Sequence, residues 1–115
     1  MTHTTFEAKV RRTPGAAIID LKGEINSFAE AALNAAYSEA AQGDARPILL
    51  NFGAVDYINS TGIALVVSLL AQARKESRRL MTYALSEHYL EIFQITRLAD
   101  FMNIYPDEAS ALGGL

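Results

Sequence analysis

A buried strand that leads into a long apolar helix constrains this chain more than any other feature. The run Ile48-Leu-Leu50 is continuously apolar, which suits an interior strand covered on both faces. Beyond a short polar stretch, apolar residues recur at helical spacing, namely Ile63, Val66, Val67, Leu70 and Ala73. A strand, a loop and a helix in this order predict part of an α/β layer.

Two hydroxyl residues, Ser60 and Thr61, lie at the predicted start of this helix. A helix start carries unpaired backbone N–H groups and the positive end of the helix dipole, so Ser60 can cap the helix or carry a phosphate there. Gly62 in the first turn is unfavourable by about 0.8 to 1 kcal/mol relative to alanine, which indicates a close approach at this point. The residues alone leave both interpretations of Ser60 open.

The N-terminal part of the chain predicts a hairpin and a helix. Residues 6–12 alternate apolar and charged side chains, Pro14-Gly15 signals a turn, and residues 16–21 form a more buried strand. Residues 22–26 leave that strand, and Ser27 with Glu30 fits a capping box that starts a helix. The apolar residues of this helix, which Gly43 ends, are Ala29, Leu33, Ala36, Tyr37 and Ala40.

The C-terminal part predicts two further strands, each followed by a helix. Residues 81–85 form a strand, and Ser86 caps a helix that holds Leu90, Phe93 and Ile95. Residues 101–105 form a last short strand before a turn of helix at residues 106–108. The complete order predicts a mixed sheet with helices mainly on one side or packed at both edges.

Composition narrows the class of protein. The 115 residues, half of them apolar and a fifth charged, predict one folded domain over residues 1–115. A net charge of -3 lacks the basic surplus of nucleic-acid-binding proteins, so we expect no nucleic-acid partner. The absence of cysteine excludes disulfides and thiolate metal sites. With no long apolar run and no signal peptide, we expect a cytoplasmic protein without direct membrane insertion.

Residues that could carry catalysis are sparse. His3 and His88 are the only histidines, and they lie far apart in the sequence. The acidic residues are dispersed, and neither a phosphate-binding P-loop nor a Gly-x-Ser-x-Gly elbow is present. A nucleophilic Ser60 would need a base, and its local sequence offers no histidine. We therefore expect no enzyme, no cofactor and no metal site.

The stretch Asp56-Tyr-Ile-Asn-Ser-Thr-Gly-Ile63 resembles the signature of STAS domains, the family of bacterial anti-sigma-factor antagonists and of the cytoplasmic parts of sulfate transporters. The likeness extends to the loop before the first helix at residues 21–26, the last strand at 98–105 and the terminal helix at 106–112. The resemblance implies a single α/β STAS-like domain. Its sheet would be mixed and four- to five-stranded, with an N-terminal hairpin and about four helices.

The resemblance also implies a phosphorylation-controlled binding switch. Ser60 would be the phospho-acceptor, with Thr61 as a less favoured one. The unphosphorylated domain, a monomer or weak dimer, would bind an anti-sigma factor that is also a serine kinase. Phosphorylation would end that binding, and a metal-dependent, PP2C-like serine phosphatase would restore it. The partner-binding residues carried over from the family are Asn26, Asn59, Ser60, Thr61, Gly62 and Ile63.

Asn59 and Asn26 stand where the family often has aspartate. Both keep a hydrogen-bonding side chain and remove a negative charge. They either ease phosphate accommodation at Ser60 or mark a member that a kinase modifies poorly or not at all. The second interpretation leads to another function, an interaction subunit of a lipid-transport complex or a stress-signalling scaffold that docks without a phosphate cycle. Weak nucleotide binding, a third hypothesis, lacks a phosphate-cradling glycine loop here.

Overall fold

The computed structural model describes residues 5–43 and 47–115, so His3 lies outside the described residues. The strands are β1 (Glu7–Arg12), β2 (Ala17–Ile25), β3 (Ile48–Ile58), β4 (Leu80–Tyr83) and β5 (Asn103–Tyr105). The helices are α1 (Glu30–Ala41), α2 (Ser60–Lys75), α3 (Glu87–Ile95) and α4 (Glu108–Gly113), with short 3₁₀ turns at Ser27–Ala29 and Leu98–Asp100. These elements confirm the predicted α/β fold with its N-terminal hairpin and four helices.

The five strands lie in one mixed sheet in the order β1-β2-β3-β4-β5. β1 and β2 form the predicted antiparallel hairpin, with Val10 opposite Ile19, and all other neighbours are parallel. Right-handed crossovers in this strand order place α1, α2 and α3 on one face of the sheet. The main core lies there and contains Leu33, Leu69 and Phe93, one from each helix.

The short helix α4 covers part of the opposite face. Its Ala111 packs into a second cluster with Ile18, Leu49 and Met81. Leu50, the neighbour of Leu49, belongs to the main core, because successive side chains of a strand point to opposite faces. One face of β3 is buried in the main core and the other in the second cluster, which confirms the predicted interior strand.

A polar network also ties α4 to the sheet. The Arg11 guanidinium pairs with the carboxylates of Asp20 and Glu108, and the Tyr83 hydroxyl donates to Glu108 Oε1 at 2.6 Å. Asn51 Nδ2 donates to Asp20 Oδ1 at 2.8 Å. Hydrogen bonds from Arg11 lower the pKa of both carboxyls, and burial raises the pKa of the Tyr83 phenol. The network links β1, β2, β3 and β4 to α4.

Strands β2 and β3 continue further than predicted. We expected residues 22–26 to leave the strand, but β2 ends at Ile25, and β3 reaches Ile58. The two strands pair with each other along this extension through register shifts near Lys22 and Gly23, and Gly23 adopts a positive φ of 93°. Both strands therefore end at the same edge of the sheet.

The predicted capping box at Ser27 is wrong. Asn26 is the capping residue instead, because its side chain accepts a hydrogen bond from the N–H of Phe28 and starts the Ser27–Ala29 turn. Helix α1 follows from Glu30, and no side chain caps its own first residue. The predicted apolar face of the helix, including Leu33 and Tyr37, is buried as expected.

Two apolar residues that fit the predicted helical patterns face solvent. Val67 of α2 is 44% exposed, and Leu69 takes the core position instead. Ile95 is 71% exposed because it is the last residue of α3 and lies beyond the buried Phe93. The buried stripe of α2 is thus shifted around the helix relative to the prediction, with Leu69 in place of Val67.

Candidate functional site

The predicted binding residues meet at the edge where β2 and β3 end. Ile25 is paired with Ile58, so the segments that follow these two residues leave the sheet side by side. The backbone N–H of Asn59 donates to the carbonyl of Ile25 at 3.2 Å. The loop at Asn26 and the start of α2 are therefore joined directly, although they are distant in the sequence.

Asn59, not Ser60, caps helix α2. Its Oδ1 accepts a hydrogen bond of 2.8 Å from the N–H of Gly62, and its carbonyl accepts one of 3.0 Å from the N–H of Ile63. Ser60 is the first helical residue and is exposed, and its hydroxyl has no hydrogen-bond partner among the described residues. The expectation that Ser60 also serves as the cap is wrong, because the neighbouring amide occupies that position.

Gly62 lets α2 approach the end of β2 closely. A Cβ at this buried position would overlap the carbonyl oxygen of Ile25 and lie 2.8 Å from Ile58 Cγ2. Real Cβ atoms do not come this near to backbone atoms. The close approach predicted from the glycine is confirmed, and its neighbour is the backbone of Ile25.

The turn after β2 holds one aromatic side chain outwards. Asn26 Oδ1 accepts from the N–H of Phe28 at 2.9 Å, and Asn26 Nδ2 donates to Glu24 Oε2 at 2.7 Å. Ala29 is fully buried, whereas Phe28 is 91% exposed. Sequence reasoning did not select Phe28. The signal was present, because this residue lies outside the helical phase that Ala29 and Leu33 share.

Helix α3 also supports the site. The N–H of Ile58 donates to the phenol oxygen of Tyr89 at 2.8 Å, and Tyr89 itself is buried. Ile58 lies two residues before Ser60, so this bond holds the strand end from which the exposed serine projects. Sequence reasoning missed Tyr89, because an aromatic residue on an amphipathic helix is typical of ordinary core.

Helix α2 brings no charge to the surroundings of Ser60, whereas the carboxylate of Glu24, near the end of β2, lies against Asn26 Nδ2. The first turn of α2 contains no acidic residue, and the segment from Ser60 to Ala73 carries no charged side chain. The positive end of the helix dipole is therefore not neutralised from within the helix. Asn26 and Asn59 add amide groups, which donate and accept hydrogen bonds without charge.

The described residues hold few groups for other chemistry near this edge. His88 packs edge-to-face against Tyr89, with ring centroids 4.9 Å apart. Within residues 5–43 and 47–115 no three His, Asp or Glu side chains converge as metal ligands. No helix in these ranges combines the length and hydropathy that crossing a membrane requires. Two exposed hydroxyl residues, Ser60 and Thr61, lie at this edge.

Comparison with known proteins matches the described fold to a family. Residues 7–111 match the STAS domain, which is nearly the whole chain. The chain belongs to the STAS domain family. The protein BtrV of Bordetella bronchiseptica, whose name proposes an anti-sigma factor antagonist, is 30% identical over 92 residues, or 80% of this chain and 77% of BtrV. The anti-sigma-B factor antagonist of Staphylococcus aureus is 27% identical over 86 residues, or 75% of this chain and 80% of the relative.

Solved structures agree with the fold. A crystal structure of an anti-sigma factor antagonist from Mycobacterium paratuberculosis superposes with a TM-score of 0.81 at 21% identity, covering 96% of this chain and 93% of that one. The Bacillus cell fate determinant SpoIIAA in its phosphorylated form gives a TM-score of 0.70 at 24% identity, covering 95% of this chain and 97% of SpoIIAA. At these identities the superpositions establish the fold.

Proposed function

We propose that this chain is an anti-sigma-factor antagonist that works as a phosphorylation-controlled binding switch. With Ser60 unmodified, it binds an anti-sigma factor that is also a serine kinase. Phosphorylation of Ser60 ends the complex, and a PP2C-like phosphatase restores it. Names of relatives support the first part, since the Staphylococcus aureus relative is an anti-sigma-B factor antagonist.

The observation that carries the proposal is that Asn59, and not Ser60, makes the capping hydrogen bond of α2. Asn59 caps α2, so the hydroxyl of Ser60 is exposed and has no partner among the described residues. A kinase can therefore modify Ser60 without breaking a hydrogen bond that the helix needs. A phosphate there adds about -1.5 to -2 charges at the positive end of α2, where the helix dipole tolerates it.

The uncharged first turn of α2 explains why such a phosphate would end binding. An interface built around the amide of Asn59 and the hydroxyl of Ser60 closes over neutral groups. The phosphate would have to be desolvated or displaced at that interface. Each ~1.4 kcal/mol lost in this way lowers affinity tenfold, so a modest penalty separates the two states.

The residues of the proposed partner surface differ in how far their side chains are exposed, and we assign their roles accordingly. Ser60 and Thr61 are exposed and Ile63 is half-buried, so these side chains are available to a partner. Asn26 and Asn59 are half-buried and hold their loops by capping bonds. Gly62 is buried, so we assign it the role of shaping the first turn of α2 rather than touching the partner.

The test starts with the anti-sigma factors of the serine-kinase type that the source organism encodes. Each is incubated with the purified chain and ATP, and the modified residue is mapped by mass spectrometry. We expect phosphate on Ser60, and affinity for the same factor reduced at least about tenfold in Ser60→Glu. Ser38→Glu, which changes an exposed serine of α1, serves as the matched control and should bind like wild type. Phosphate only at another residue would contradict the proposal.

Asn26 and Asn59 favour a second candidate, an interaction subunit that docks without a phosphate cycle. The amides of Asn26 and Asn59 provide the two capping bonds, and Asn26 Nδ2 also donates to Glu24 Oε2, which a carboxylate could not do. Both asparagines therefore have a structural role that involves no phosphate. This candidate predicts equal partner affinity for wild type and Ser60→Glu, and no modification of Ser60 by any of the kinases tested. The mass spectrometry and affinity measurements above therefore separate the two functions.

A further inference from the structure

Phe28 is the most exposed large apolar side chain in the described part of the chain, and the backbone of the turn that carries it is anchored. Its backbone N–H is bound by Asn26, and the adjacent Ala29 is fully buried. The turn that carries it packs against α2. The aromatic ring is 91% exposed beside the helix that begins with Ser60, so its position is set by a short, anchored turn.

Helix α2, which the turn of Phe28 contacts, has an exposed face without charge. From Ser60 to Ala73 the helix carries no charged side chain, although many of its residues are exposed. The exposed residues in this segment after its first turn are Ala64, Val67, Ser68, Ala71 and Gln72.

Helix α3 differs from α2, since its exposed face carries Glu87 and Glu91 within nine residues. On α1 the charges Glu30 and Glu39 lie near the two ends, but no exposed aromatic residue accompanies its uncharged middle. Depletion of charge together with an exposed aromatic residue is typical of the centre of a protein interface rather than of a solvated helix face. The combination of the exposed Phe28 with the uncharged face of α2 therefore marks this side of the domain as a candidate interface.

We propose that Phe28 is the apolar anchor of the complex with the anti-sigma factor, inserted into an apolar pocket of that partner while the uncharged face of α2 packs beside it. This inference rests on the proposed function, because the partner is the protein that acts on Ser60. A protein that reaches Ser60 covers the first turn of α2, and the turn of Phe28 packs on that helix. Aromatic anchors at such positions carry a large share of binding energy.

The proposal separates affinity from switching. Phe28 lies on the turn after β2, whereas the modifiable hydroxyl lies on α2. A phosphate on Ser60 leaves the ring in place, so Phe28 sets the affinity of the unmodified chain and takes no part in the switch. Phe28 also lies outside the reacting atoms, so its loss raises the KM of the kinase for this chain and leaves kcat unchanged.

The experiment measures binding of the purified full chain to each serine-kinase anti-sigma factor of the source organism by calorimetry. We expect Phe28→Ala to weaken binding at least about tenfold and Phe28→Leu to restore part of it. Ile95→Ala removes a side chain that is also highly exposed, 71%, at the end of α3, and should change affinity less than about twofold. Thermal unfolding of all three variants should match wild type, since neither side chain is buried.

Each outcome decides the proposal. Wild-type affinity in Phe28→Ala, or equal losses in Phe28→Ala and Ile95→Ala, would overturn it. If a factor binds through Phe28 but never modifies Ser60, the result supports Phe28 as the anchor and contradicts the phosphorylation switch. If no factor binds the wild-type chain, the result contradicts both proposals. If light scattering shows a dimer that Phe28→Ala dissociates, the surface belongs to a second copy and the assignment to an anti-sigma factor is wrong.

Discussion

The phenol oxygen of Tyr89 accepts a hydrogen bond of 2.8 Å from the backbone N–H of Ile58. This bond joins the first turn of α3 to the end of β3, directly before the segment that carries Asn59 and Ser60. Both partners are buried, so water does not replace the bond when it is removed.

Tyr89→Phe should lower the free energy of unfolding by about 1–3 kcal/mol, because it leaves the N–H of Ile58 buried without a partner. Urea denaturation measures the loss. Tyr57→Phe provides the control, since Tyr57 is 52% exposed and its change should stay within about 0.5 kcal/mol of wild type. Equal stabilities of the two variants would contradict the buried hydrogen bond.

Asn59→Ala should destabilise the protein by about 0.5–2 kcal/mol through loss of the cap on α2, whereas Ser60→Ala should change stability by less than about 0.5 kcal/mol. Asn59→Asp keeps an oxygen acceptor for the N–H of Gly62 and should retain the cap. Chemical denaturation of the three variants checks this order. A larger loss in Ser60→Ala than in Asn59→Ala would mean that the serine is the capping residue after all.

Gly62→Ala should destabilise the protein by at least about 1–3 kcal/mol, because the added methyl group overlaps the backbone of Ile25. Gly113→Ala is the matched control, since no atom lies within 4 Å of a Cβ at this helical position. Alanine is favoured over glycine in a helix, so this control should be neutral or stabilising. Melting temperatures report both effects, and a neutral Gly62→Ala would disprove the close approach.

Acid should weaken the link between α4 and the sheet. Arg11 lowers the pKa of the Asp20 and Glu108 carboxyls in the folded protein, so their contribution is complete above the unfolded values of about 3.9 and 4.3. It is lost as the pH falls through the lower folded values, since the unfolded chain then binds more protons. Urea midpoints measured from pH 7 down to pH 3 should fall most steeply below about pH 4.

Arg11→Met tests the source of this pH dependence, because it removes the guanidinium that both carboxylates bind. The variant should be less stable than wild type at pH 7, and the difference should shrink as the pH falls towards 3. Arg97→Met breaks an exposed ion pair with Asp100 and serves as control, with little effect at either pH. A difference for Arg11→Met that stays constant with pH would show that the ion pairs are not its cause.

Phosphorylation of Ser60 should leave the domain folded and raise its melting temperature slightly, since a helix N-terminus stabilises negative charge by about 0.3–1 kcal/mol. In Asn59→Asp the neighbouring carboxylate repels the phosphate, so the same modification should stabilise less or destabilise. Thermal unfolding of the phosphorylated and unmodified forms of both proteins measures the difference. If phosphorylation changes the melting temperature equally in wild type and in Asn59→Asp, phosphate accommodation does not explain why residue 59 is an asparagine.

Periodicity was sufficient to predict most of the fold from the sequence. The apolar run around Leu49 and the helical spacing of Leu33, Tyr37 and Leu70 each indicate a buried face, and the structure buries all four residues. Such patterns can be read within a short stretch of sequence, because a helix or strand that buries one face repeats apolar residues with its own period. The identity of these elements therefore required no knowledge of the tertiary contacts.

Strand ends and caps depended on tertiary contacts and could not be predicted in the same way. β2 continues to Ile25 because β3 lies beside it, and no local signal reports that pairing. Asn26 and Ser27 are both good capping residues, and packing of the turn against α2 selects the first. The bond between Tyr89 and Ile58 joins residues 31 positions apart, beyond the reach of a motif.

The order of the five strands in space repeats their order along the chain. Each strand after the first therefore pairs with the strand made just before it, so every strand pairing of the sheet joins consecutive strands. Ser60 leaves the ribosome before Tyr89, whose phenol completes the strand end below it. An enzyme that recognises the ordered loop rather than the bare sequence meets its substrate only after that tyrosine has been made.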